Sequence, residues 1–147
     1  MRSSIRLGLA VAIALASLSP AAVVKGHGAL RASGNKIVDS TGTPIQVAGM
    51  SLFWPTYGGS RFYNSGAVGY TASERKASVV RAPIPVVPSN GTPVYNQGDK
   101  ALIRNAIDAA VANDIYVIVD WHVEGDNSLT TESKAFFEEF AKAYGKV

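Results

Sequence analysis

Apolar positions along the chain switch between two periods. From Gly34 onward, short β-branched runs alternate with stretches in which apolar residues recur every three or four positions. Lys36-Ile37-Val38-Asp39, the polar turn Ser40-Thr41-Gly42-Thr43 and Pro44-Ile45-Gln46-Val47 predict a hairpin. Residues 45–50 continue as a strand that ends in a loop rich in aromatics and glycine. Val79-Val80-Arg81-Ala82 predicts a second strand, stopped by Pro83 and Pro85. Ile115-Tyr116-Val117-Ile118-Val119-Asp120 predicts a third. Its nearly continuous β-branched run suits a strand buried on both faces of a parallel sheet.

Helices are predicted between and after these strands. Asp99 is the expected N-cap of a helix over residues 100–112. Leu102, Ile103, Ala106, Ile107, Ala110 and Val111 would line one side, with Lys100, Arg104, Asn105 and Asp108 opposite. A further helix follows Thr131, with Glu132 in its first turn, an apolar stripe of Phe136, Phe137, Phe140, Ala141 and Tyr144, and Gly145 as its stop. Residues 71–78 are expected to form the first helix, although Glu74-Arg75-Lys76 leaves it a poor apolar face. The strand centres near Val47, Val80 and Ile118 lie 33 and 38 residues apart. One βα unit takes ~30 residues, so the pattern describes about three units. It fits three-eighths of a barrel and a small open α/β sheet equally well.

Composition changes the picture mainly at the front. Arg2 and Arg6 precede the apolar run Leu7-Gly8-Leu9-Ala10-Val11-Ala12-Ile13-Ala14-Leu15-Ala16, followed by Ser19-Pro20-Ala21. A basic start, a short apolar run and small residues after it predict a secretory signal over residues 1–21, cleaved after Ala21 or Ala22. The run is too short to cross ~30 Å of hydrocarbon. The expectation is therefore a secreted, extracellular chain with no membrane association after cleavage. Residues 22–33 read as a short linker, and 34–147 as the folded part. Without the signal, 12 basic residues face 11 acidic ones. No run of Lys and Arg interleaves with aromatics, which argues against a nucleic-acid partner. The absence of cysteine excludes thiol catalysis and Cys-ligated metals.

Ligands of α/β folds bind at the carboxyl ends of parallel strands, and those positions here carry distinctive side chains. The first loop has Phe53-Trp54-Pro55-Thr56-Tyr57-Gly58-Gly59, Phe62 and Tyr63; the second strand offers Arg81; the third ends in Asp120-Trp121-His122, then Glu124 and Asp126. Aromatic faces beside Arg, His and carboxylates suit a polyhydroxylated, uncharged ligand such as a sugar. Each of Trp54, Tyr57, Phe62 and Trp121 taken alone reads better as core. Arg81 in an apolar strand needs a carboxylate or several carbonyls. It would either hold a catalytic carboxylate or form a structural ion pair with Asp120 or Glu124. His122 alone reads as a core histidine, and Glu124 and Asp126 as solvated. His27 would be a metal ligand only if cleavage followed Gly26. With two histidines in the chain, no metal site and no cofactor is expected. Asn90-Gly91-Thr92 is a glycosylation sequon, relevant only in a eukaryotic secretory route.

Three motifs together resemble those of glycoside hydrolase family 5 cellulases: Ala48-Gly49-Met50-Ser51-Leu52-Phe53-Trp54, Val79-Val80-Arg81-Ala82, and Ile115-Tyr116-Val117-Ile118-Val119-Asp120-Trp121-His122. Gly34-Asn35-Lys36-Ile37-Val38-Asp39 and Phe136-Phe137-Glu138-Glu139-Phe140-Ala141-Lys142-Ala143-Tyr144-Gly145 resemble flanking segments in the same order. The resemblance implies a partial (β/α)8 barrel, its first three βα units preceded by a β-hairpin. It also implies a secreted, monomeric endo-β-1,4-glucanase acting with retention on β-1,4-glucan. Arg81 and His122 match active-site support residues of that family, and Trp54, Tyr57 and Trp121 are the candidates for substrate contact. The family's Asn-Glu-Pro acid/base motif does not occur here, and the nucleophile glutamate belongs after a seventh strand. The chain is therefore expected to be an inactive N-terminal part of such an enzyme. The alternatives are a non-catalytic carbohydrate-binding remnant and a small unrelated α/β domain.

Overall fold

The computed structural model describes residues 22–89, 92–94, 96–123 and 129–145. The predicted signal, Asn90, Glu124 and Asp126 lie outside them. The elements, in chain order, are α1 (Val23–His27), β1 (Arg31–Ser33), β2 (Lys36–Val38), β3 (Gly49–Ser51), α2 (Ser65–Ser73), β4 (Val79–Ser89), β5 (Thr92–Val94), α3 (Gln97–Ala112), β6 (Tyr116–Val123) and α4 (Thr130–Tyr144). Two short 3-10 turns, Pro55–Tyr57 and Ser60–Phe62, shape the loop after β3.

β3, β4 and β6 form a parallel sheet in that order, with Ser51 beside Arg81 and Arg81 beside Ile118. The side chains sort by the two-residue period of a strand. Val80, Ala82 and Ile84 are buried in one core with Ile103, Ala106, Ile107 and Ala110 of α3 and Phe136 and Phe140 of α4, and Val86 is buried as well. The β6 residues Val117, Val119 and Trp121 pack against this same core. The other sheet face presents Arg81, Ile118, Asp120 and His122. Ile118 is 52% exposed, so β6 is buried on one face only, not on both.

β4 runs eleven residues, through Pro83, Pro85 and Pro88, where the sequence led us to expect a stop. The hydrogen-bond phase explains it. Leu52 N–H donates to the Arg81 carbonyl, so odd-numbered residues of β4 direct their backbone groups toward β3. β3 ends at Ser51, so beyond it no strand needs the N–H that proline lacks. The Pro83 carbonyl on that side instead accepts from the Tyr63 hydroxyl at 3.0 Å. Farther along, Pro88 lies opposite Pro93 in the antiparallel pairing with β5, a pair that exchanges no bonds.

Three further expectations shift. The hairpin forms earlier, between β1 and β2 around Gly34-Asn35, and Gly34 takes a φ of 61° that favours glycine. Asp39 still organises the following turn, but only a single bridge, Val38 to Pro44, remains of the predicted partner strand. The strand expected over 45–50 is short, Gly49–Ser51. The first helix spans Ser65–Ser73 and not 71–78: the Asn64 side chain caps it by accepting from Ala67 N–H, and Val68, Thr71 and Ala72 are its buried residues. Asn96, not Asp99, caps α3, accepting from Gly98 N–H at 2.9 Å.

Candidate functional site

At the carboxyl end of the sheet, Arg81 reaches diagonally across to β6. Its Nη2 donates to Asp120 Oδ2 at 2.5 Å and lies 2.9 Å from His122 Nδ1, while Nη1 donates to Ser51 Oγ at 2.8 Å. Asp120 Oδ2 and His122 Nδ1 are also 2.9 Å apart. The topology makes this cluster inevitable. Ser51 and Arg81 are register partners, and Asp120 and His122 follow Ile118 at two-residue steps on one face. The Arg81 side chain retains 34% exposure and Asp120 25%. The guanidinium is thus half-buried with a satisfied partner, and not enclosed as the apolar flanks of the strand suggested.

Trp54 covers the cluster from the loop after β3. Its ring centroid lies 4.6 Å from that of His122 and 5.5 Å from that of Tyr57. Tyr57 is 58% exposed and Phe53 57%, so the loop offers open aromatic faces beside charged groups. Two tethers hold it. Thr56 Oγ1 donates to the buried Asp99 Oδ2 at 2.7 Å, pinning the loop to the first turn of α3. Tyr63 is buried, and burial, reinforced by the Asp99 charge, pushes its hydroxyl well above the usual tyrosine range. It therefore stays a donor to Pro83. Gly59 lets the loop close: a Cβ there would come within 2.1 Å of the Phe53 carbonyl oxygen.

Of the sequence-predicted site residues, Arg81, His122, Trp54 and Tyr57 come together. Trp121 does not. It points to the helix side of β6, its ring 5.0 Å from Phe136, because it is one residue out of phase with Asp120 and His122. Trp121 is partly buried against the core, on the face of β6 away from Trp54 and His122. Asp120 pairs with Arg81, one of the two ion-pair partners that the sequence offers, and Ser51 joins the cluster without any signal in the sequence. The alternation of Ile118, Asp120 and His122 along β6 is what sets Asp120 beside His122. Among the described residues, no group of three or more His, Cys, Asp or Glu side chains converges as a metal site would require. An apolar cavity of about 840 Å³ lies at the opposite, amino-terminal end of the sheet, lined by Leu30, Ile37, Val79, Tyr116 and Ile118 among others.

The chain is similar to known proteins. Endoglucanase Z of Dickeya dadantii is 37% identical over 118 residues, which are 79% of this chain and 28% of that protein. A solved structure from Cytophaga hutchinsonii matches with a TM-score of 0.76 at 32% identity, covering 85% of this chain and 40% of that one. The catalytic domain of Thermobifida fusca endoglucanase Cel5A, solved as a Glu-to-Gln variant in complex with cellotetraose, gives 0.69 at 26% identity, covering 86% and 41%. The chain thus spans under a third of this curated relative and about two-fifths of these solved chains. Its three parallel units are part of a (β/α)8 barrel. The sequence profile of the cellulase family, glycosyl hydrolase family 5, matches residues 38–147, and with the motifs, the sheet and the profile in agreement, the chain belongs to that family.

Proposed function

We propose that this chain is the N-terminal part of a secreted, monomeric endo-β-1,4-glucanase and forms one wall of its glycan site. The observation that carries the reading is the Arg81–Asp120–His122 cluster under Trp54, at the strand ends where barrel enzymes act. Trp54 and Tyr57 offer ring faces to the C–H surface of a glucose unit. His122 and Arg81 supply polar groups beside them. A leader over residues 1–21 would send the protein out of the cell, where an insoluble glucan is met. Asn90 is a candidate for glycosylation if that route is eukaryotic.

Retaining hydrolysis needs two carboxyl groups about 5–5.5 Å apart. Asp120, the carboxylate of the described cluster, is already engaged by Arg81 and His122. The chain alone is therefore expected to release no reducing ends from carboxymethylcellulose. Joined to the segment of Endoglucanase Z that follows its matched region, it is expected to become active. Arg81→Ala in that joined protein should lower kcat/KM by about a hundredfold or more, the order of loss that follows removal of one preorganised hydrogen-bond donor from an active site. Hydrolysis by the chain alone, or a fully active Arg81→Ala, would refute the reading. Tight, saturable binding of cellotetraose by the chain alone, lost in Trp54→Ala, would favour a carbohydrate-binding remnant.

A further inference from the structure

We infer that Asp99 is a positioning residue of the glycan site: through its hydrogen bond to Thr56 it fixes the direction of the Tyr57 ring, and with it the affinity for glucan. The role in binding rests on the reading above; the tether itself stands without it.

Asp99 is the third residue of α3 and is only 4% exposed. A carboxylate there gains from the positive end of the helix, but its burial is costly unless donors meet it. Capping does not use it, since Asn96 accepts from Gly98 N–H in that place. The carboxylate is turned instead to the loop after β3, where Thr56 Oγ1 donates to its Oδ2 at 2.7 Å. Hydrogen bonds to a charged acceptor are among the stronger ones. This one joins residues 43 positions apart and ends on the middle residue of the turn Pro55–Tyr57.

The two rings of that turn are held differently. Trp54 rests on His122, with centroids 4.6 Å apart, and the buried Pro55 follows it. Tyr57 is 58% exposed at the other end of the turn, its ring 5.5 Å from that of Trp54 and tilted by 46°. Its N–H donates to the Trp54 carbonyl at 3.1 Å, which closes the turn. Thr56 is its chain neighbour, so anchoring the Thr56 side chain on α3 fixes the backbone from which the Tyr57 ring projects. A binding group is precise only when contacts behind it hold it in place. A released Tyr57 would have to be ordered by the sugar itself, at a cost in affinity. Bound substrate and transition state would lose alike, so the loss falls on KM more than on kcat.

The test uses the protein joined to the Endoglucanase Z segment, with carboxymethylcellulose as substrate. Thr56→Val combined with Asp99→Ala removes donor and acceptor at once and leaves no buried charge unmet. It is expected to raise KM about three- to tenfold, the equivalent of one net hydrogen bond, with kcat moving far less. Thr56→Ser keeps the hydroxyl and Asp99→Asn keeps an accepting oxygen, and both are expected to restore a KM near that of the parent. In a Tyr57→Ala background the double change should add almost nothing, because the ring it serves is gone. A double variant with a lower thermal midpoint and the parent's KM has lost only stability, and that result overturns the inference. So does a KM rise that persists in full when Tyr57 is alanine. Where the double variant does not fold, Thr56→Val alone, at an exposed position, gives the same readout. A parent that hydrolyses while its folded variants keep its KM sinks this inference alone. A joined parent with no hydrolysis at all sinks the functional reading, and the binding role of Asp99 with it.

Discussion

At the scale of single residues, the chain places unusual demands on a few positions. Asp39 is buried and accepts from the Thr41 hydroxyl at 2.7 Å, from the Thr41 and Thr43 N–H groups at 2.9 Å, and sits 3.3 Å from His27 Nδ1. The Thr41 hydroxyl above all, then His27 and the two backbone donors, hold its carboxyl at about 2 against the cost of burial. An unfolded aspartate titrates near ~3.9. A depressed folded value stabilises above the unfolded one, and that contribution is lost as the pH falls from about 4 toward 2. Thermal unfolding of the chain should show a falling midpoint across that window. Asp39→Asn should flatten the fall and lower the midpoint at neutral pH; an unchanged pH profile in the variant would refute the assignment. Gly49 is bound by space alone, since a Cβ there would lie 1.7 Å from the Val79 carbonyl oxygen. Gly49→Ala must push β3 off β4 and is expected to destabilise by about 1–3 kcal/mol, read by urea unfolding. Arg81 itself was legible as a residue needing an anion, because a guanidinium among valines has few other solutions.

Elements were legible where packing and pattern agree. Ile103, Ala106, Ile107 and Ala110 sit on one stripe of α3 and are buried as expected, whereas Val111 at the stripe's edge is 49% exposed. Ile103→Ala removes a fully buried side chain between helix and sheet and should cost about 2–5 kcal/mol, measured as a lower urea midpoint with the slope unchanged. The α3–α4 seam also carries Lys100 and Arg104 on Glu139. Glu139 is more than a third exposed, so those pairs are expected to matter far less than Ile103. What the sequence concealed was tertiary. α2 begins six residues before the expected start because Asn64 caps it and Val68 finds the core; a helix of small residues such as Ser65-Gly66-Ala67 gives little periodic signal. β4 passes through its prolines because β3 is short, which no local rule could reveal. The site was half legible: four of its side chains stand at strand ends, but the phase that buries Trp121 and exposes Asp120 depends on which face of β6 meets the helices.

On the scale of the whole molecule, the sheet is asymmetric. One face is covered by α2, α3 and α4, and the other carries Ile118 at 52% exposure, with Phe53 at 57% just beyond β3. β6 pairs only with β4 among the described residues, and β3 likewise pairs only with β4. Among the described residues, then, two parallel edge strands flank an open apolar face, and the cavity of about 840 Å³ continues that face under β1 and β2. Unpaired edges beside exposed apolar surface promote association between chains. In its relatives such a sheet is one portion of a longer chain. The isolated 147-residue chain is therefore expected to associate increasingly with concentration, seen by sedimentation or light scattering. A charge at the centre of the face tests the cause. Ile118→Lys adds a solvated ammonium at a position that is already half exposed, so it disturbs the helix-side core little. It should reduce association markedly while leaving far-ultraviolet circular dichroism unchanged. If Ile118→Lys associates as the parent does while Lys placed at the exposed Tyr70 of α2 abolishes it, the sticky surface lies on the helical side and the open sheet face is not its origin.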